Sequence, residues 1–291
     1  LGNQAGDTMN FGSLTFNSAG SVIIEEDSAT VLEGTSTADS LQLTSTGSVT
    51  DDGTADVTVT NNTSFSGSSI TLDDTYAFGS LTFNAAGAVA IVESDATVLS
   101  GKSTALSLDL DSGGSITDDG TADVTVTNNA DFADSGGAGI TLDDTYSFGS
   151  VTFTSTGAVS IVETDAMVLS GASSSDTLDL TSTGGSITDD GTANYTVTNN
   201  ASFSGTSITL DAPLHITSGY ASLLTGDYRL VEEHPPLIKM LQAAPLLWAD
   251  PPLRDPRTVP GWEDGDLIEA ARHVAMPYRP IEPLVHAARV P

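Results

Sequence analysis

The 291-residue chain contains no cysteine, which rules out a disulfide framework and any thiolate site. Its first 211 residues also lack proline, arginine, histidine and tryptophan, and they hold one basic residue, Lys102. Twenty-nine acids against that single lysine give residues 1–211 a formal charge of −28. Such a surface repels phosphate, so nucleic acid is excluded as a partner and docking on anionic lipid is disfavoured. No run approaches about 18 apolar residues, so no membrane insertion is expected. Residues 237–249 form the most apolar stretch, and Lys239 and Pro245 interrupt it. The first residues are acidic and polar, with no basic start and no apolar run, so no signal peptide is expected.

What is present is repetition. Phe-Gly-Ser-Leu-Thr-Phe stands at Phe11 and again at Phe78, and Phe-Gly-Ser-Val-Thr-Phe at Phe148. Each start follows the last at a nearly constant interval, and a fixed period marks stacked units that share one core. The repeats run over 11–77, 78–147 and 148–211. Residues 1–10 occupy the place of Leu72–Ala77 and Leu142–Ser147, so the chain is expected to begin mid-repeat, as a piece of a longer protein. Residues 212–291 differ sharply: all 12 prolines, all four histidines and both tryptophans lie there.

Within each repeat, short alternating runs such as Leu41-Gln-Leu43, Val57-Thr-Val59 and Ile70-Thr-Leu72 are divided by Gly, Asn, Asp and Ser. Period-two alternation with β-branched residues predicts strands, and the dividers predict turns. Helical periodicity is almost absent before residue 212. Strands begin about every eight residues. Three per coil give coils of roughly 20–24 residues, about three coils per repeat and about ten in all, a parallel β-helix roughly 50 Å long. An array of three small β-sandwiches is the competing reading. Sandwiches usually need nearer 100 residues and a linker, whereas Tyr76-Ala77-Phe78 runs on without a break.

Asp-Asp-Gly-Thr-Ala recurs at Asp51, Asp118 and Asp189. Asp51, Asp52, Asp118, Asp119, Asp189 and Asp190 are the candidate Ca²⁺ ligands, since Ca²⁺ takes oxygen donors. The simpler reading is an Asp-Gly turn in which Asp accepts from its own backbone and Gly takes positive φ. Triplication disfavours catalysis at these acids. Asn61-Asn62, Asn128-Asn129 and Asn199-Asn200 suit coil corners. Phe11, Phe16, Phe65 and their copies are expected in the core. Lys102 alone cannot equip a lyase cleft. No acidic cluster outside the common pattern is visible before residue 212, so a carbohydrate-active enzyme lacks its groove. His234, His273 and His286 match no compact metal-ligand spacing.

Phe78–Phe83, Ser115-Ile-Thr-Asp-Asp-Gly120 and Thr125-Val-Thr-Asn-Asn129, with their copies, resemble the filamentous-haemagglutinin and autotransporter-passenger class of bacterial surface proteins. The resemblance covers about residues 1–211. It implies a right-handed β-helix, a secreted or outer-membrane-associated cell-surface location and an adhesive or structural role, and it supplies no catalytic residues. The expected function is a non-catalytic adhesin, stalk or rod whose partners are surface glycans or other cell-surface proteins. The alternatives are a carbohydrate-binding or carbohydrate-active β-helix and a Ca²⁺-responsive surface-layer rod. In the Pro-rich segment 212–291, residues 216–228 read as a finishing strand or hairpin and 264–275 as a short helix, together a cap or a loosely folded tail.

Overall fold

The computed structural model describes residues 7–210, 224, 255–260 and 262–263. The expected helix at 264–275, the expected strand or hairpin at 216–228 and all four histidines lie outside these. Two compact units are formed, Leu1–Ile208 and Thr209–Pro291. In the second, Pro256–Thr258 makes one 3₁₀ turn, capped by Asp255, whose side chain accepts from the Arg257 N–H.

The first unit is a parallel β-solenoid of about nine turns. The strand pairings described in it are all parallel, as in Thr30–Leu32 with Val49–Asp51 and Ile70–Leu72 with Ala88–Glu93. Each turn has three sides, and a strand stacks on the strand three sides later. The turns vary in length more than the strand spacing suggests. A short one carries the chain from Asn62 to its stacking partner Ser80, and a longer one from Ile116 to Ile140.

Alternation along the strands sends one set of side chains inward. Leu43, Phe65 and Phe83 stack in register on one side; Leu110, Phe132 and Phe153 stack on another. All six are sealed from solvent, in a single apolar core that runs through the coil. At roughly 1.5–3 kcal/mol per large buried side chain, these stacks are a main stabilising contribution. Phe11, Phe16 and Phe203, near the two ends of the described coil, are only partly buried. One continuous interior excludes separate sandwiches.

The repeat holds about three coils, as expected, but not a whole number of them. Counting from Thr30–Leu32 up to, but not including, its copy Thr97–Leu99, the chain makes eight strands, two of which, Asp56–Gly67 and Thr75–Ala85, turn a corner midway and cover two sides each. Ten sides are three turns and a third. Thr30 therefore stacks under Val49, Ile70, Val89 and Leu108, while its copy Thr97 belongs to the adjoining side, under Ile116, Ile140 and Val159. Met167, the third copy, stacks under Ile187 on the remaining side. Each repeat is rotated by one side, about 120°, from the one before.

The midway corners bring two sequence motifs together. Val59 pairs with Phe78, and Asn62 with Ser80, so Thr60-Asn61 stands opposite Gly79 alone. An extra residue on one strand bends the ladder there, as in a β-bulge. A Cβ on Gly79 would lie 2.2 Å from the Thr60 carbonyl oxygen, and one on Gly149 would lie 2.2 Å from that of Thr127. The Asn pairs occupy these corners as expected. Asn61 Nδ2 donates to Asp39 Oδ1 at 2.8 Å, and Asn62 Oδ1 accepts from Ser80 Oγ at 3.1 Å.

Candidate functional sites

The Asp-Asp-Gly-Thr-Ala segments form tight turns. Gly53, Gly120 and Gly191 have φ of 86°, 85° and 83°, where a side chain would strain the backbone. Asp52 Oδ1 accepts from both the Thr54 N–H and its hydroxyl, and Asp119 and Asp190 do the same with Thr121 and Thr192. The Thr121 hydroxyl leads the interactions that hold the Asp119 carboxyl below its usual range. Asp189 accepts from the Gly191 N–H at 2.9 Å.

Asp51 and Asp118 reach the turn above. Asp51 Oδ2 accepts from the Asp73 N–H at 2.7 Å and from the Tyr76 hydroxyl at 2.9 Å; Asp118 Oδ2 accepts from Asp143 and Tyr146 at 2.8 and 3.0 Å. Asp74 Oδ2 returns across the corner to the Ala55 N–H, as Asp144 does to Ala122. Both tyrosines are fully buried, and burial first, then Asp51 or Asp118, pushes their phenols far above the usual range. Their role was not visible from the sequence.

Two acidic trios result, Asp51–Asp73–Asp74 and Asp118–Asp143–Asp144, each with one ligand atom per residue within 4.8 Å of the others. Among the six candidate Ca²⁺ residues, Asp51 and Asp118 enter trios formed by the described residues. In each trio, oxygens are already engaged with backbone N–H groups of the neighbouring turn. The chemistry this geometry performs is to latch one turn to the next.

One expectation is overturned: an acidic group outside the common pattern does exist. Asp109 lies directly beside Asp131 in the next turn, and Asp111 lies two residues along the same outer side. The corresponding positions are Gln42, Ser64 and Thr44 in the first repeat, and Asp179, Ser202 and Thr181 in the third. Desolvation first, then the neighbouring carboxylates, raises the Asp109 and Asp111 carboxyls. Both line a shallow depression of about 180 Å³ with Asp73, Thr71, Ala90 and Val92. The group was hidden because its members, distant along the chain, meet only when one turn is laid on the next.

Lys102 Nζ pairs with Asp123 Oδ2 at 3.2 Å. Both side chains are largely exposed, at 73% and 44%, so the pair contributes little. It does not line the depression beside Asp109. No helix among the described residues is long and apolar enough to cross a membrane.

A profile for repeats of unknown function (DUF5649) matches residues 19–83, 86–155 and 156–223. No curated protein and no solved structure shows significant similarity to the chain.

Proposed function

Because the chain belongs to the DUF5649 repeats, a family whose description assigns no activity, we propose its role from its architecture: a non-catalytic rod, displayed outside the cell or on its surface, that acts by adhesion. One observation carries this reading. A single core runs through about nine turns, while each repeat is offset by one side from the last. Equivalent corners therefore face all three directions around the axis, about 16 Å apart along it at roughly 4.8 Å per turn. Such a rod offers the same weak contact repeatedly to a partner approaching from any side, which favours avidity over a single tight site. The resemblance to bacterial surface repeats supports the location, and surface glycans or other cell-surface proteins are the partners it implies.

The test uses the full chain on a glycan array and, separately, in a polysaccharide-degradation assay measuring reducing-end release. Array binding that weakens when repeats are removed supports an adhesive rod. Release of reducing ends that disappears in Asp109→Asn would overturn the non-catalytic reading, because that acid belongs to the cluster unique to the second repeat.

A further inference from the structure

Each repeat sends one glutamate inside the coil. Glu26, Glu93 and Glu163 are 2%, 1% and 0% exposed. Each follows the opening Phe of its repeat at the same distance along the chain, and the first two accept its N–H: Phe11 to Glu26 Oε1 and Phe78 to Glu93 Oε1, both at 2.9 Å. The carboxyl supplies an acceptor where the strand of the next turn has ended. A buried N–H left without one would be costly.

The three copies differ in how well the carboxyl itself is satisfied. Glu26 also accepts from the hydroxyls of Ser28 and Thr30, at 3.0 and 2.5 Å. Thr97 stands beside Glu93 in the place of Thr30 and favours its charged form, yet Glu93 Oε2 has no hydrogen bond of ordinary geometry. In the third repeat the threonine is replaced by Met167, which has no hydroxyl to give. The Phe148 N–H still favours the Glu163 carboxylate, but neither Glu163 oxygen closes an ordinary hydrogen bond. Among the described residues of the first unit no cation compensates: its one base, Lys102, is exposed and paired with Asp123.

We propose that Glu163 is a proton-operated latch of the third repeat: neutral, it lets the turn at Val159–Glu163 stay closed, and ionised, it opens that turn and the adjoining Met167–Leu169. Desolvation, chiefly, pushes Glu163 up to about 8 and Glu93 up to about 7. Among the titratable groups around Glu163, Asp165 on its own turn adds repulsion. Asp144 and Tyr146 on the preceding turn are tied to Ala122 and Asp118. Asp179, on the following strand, is exposed, and Asp189 follows on the turn above Leu169. None is a base. A carboxyl raised in the folded state costs nothing below its unfolded value near 4.5, and stability falls as pH rises from there through about 8. The ceiling is on the order of a thousandfold in the opening equilibrium.

The experiment is segment-resolved hydrogen exchange on the full chain at pH 6 and 8.5, corrected for intrinsic exchange. Ordinary aspartates are already ionised across this interval, and the histidines of residues 212–291 remain in every variant. Opening of Val159–Glu163 and Met167–Leu169 is expected to rise more than tenfold relative to Ser21–Glu26, which carries the well-satisfied copy. Glu163→Gln should abolish that rise, and Met167→Thr, which restores the hydroxyl of the first two copies, should reduce it. An undiminished rise in Glu163→Gln, or an equal rise at Ser21–Glu26, overturns the latch. If Glu163→Gln does not fold, Met167→Thr decides: an unchanged pH response overturns it.

Discussion

Tyr76 donates its hydroxyl to Asp51 across 25 residues of chain, and Tyr146 repeats the bond to Asp118 across 28. The ring fills the coil while the phenol reaches its wall, so one side chain serves both core and corner. Tyr76→Phe keeps the ring and removes the bond. A hydrogen bond to a charged group contributes about 1.5–3 kcal/mol, less where the acceptor keeps another donor, and Asp51 keeps the Asp73 N–H. We expect a loss of about 1–2 kcal/mol for each tyrosine, measured by denaturant unfolding. An unchanged midpoint for both variants would show that the latch does not stabilise the corner.

The Phe-Gly-Ser motif supplies its own control. Gly79 and Gly149 have no room for a Cβ, which would meet backbone oxygen at 2.2 Å, whereas Gly12 in the first copy has nothing within 4 Å. Backbone cannot swing aside as a long side chain can. Gly79→Ala should cost about 3 kcal/mol, at the upper end for overpacking, and Gly12→Ala should leave the melting temperature nearly unchanged. Equal effects at the two positions would mean that the glycine is kept for turn conformation rather than for close stacking.

Much of this was legible in the sequence. Alternation located the strands, and Phe65 and Phe83 are core residues because period two leaves them no other side. The Asp-Gly and Asn-Asn corners could be read from the chemistry of positive φ and of short amides. The number of sides per repeat could not. The spacing of strand starts does not distinguish nine sides from ten, and Asp56–Gly67 runs through a corner without a glycine inside the bend to announce it. Glu26, Glu93 and Glu163 look like solvated strand ends. Their fixed distance from Phe11, Phe78 and Phe148 was the available signal that they reach back to the same backbone donor.

Asp109 and Asp131 face each other in adjacent turns, and no counter-charge among the described residues acts on Asp109. Like charges directly opposite destabilise a sheet by roughly 0.2–1 kcal/mol. Asp131→Ser, which installs the residue found at Ser64 and Ser202, should therefore raise the melting temperature slightly at neutral pH and low salt. The gain should shrink as salt screens the repulsion. A lower melting temperature at low salt would mean that the cluster is held together by something other than protein.

The acidic trios at Asp51 and Asp118 give the last expectation. Ca²⁺ takes six to eight oxygens, whereas Mg²⁺ keeps most of its water. A trio built to bind Ca²⁺ would therefore stabilise the fold in Ca²⁺ far more than in Mg²⁺ at equal concentration, since binding only the folded state raises its stability. Carboxylates that serve as latches to Asp73, Tyr76 and Ala55 should instead respond to both ions alike, through screening of the −28 charge on residues 1–211. We expect equal upward shifts in melting temperature for the two cations, and the same shifts in Asp74→Asn. A Ca²⁺ shift several degrees larger than that for Mg²⁺, lost in Asp74→Asn, would reassign these corners as cation sites.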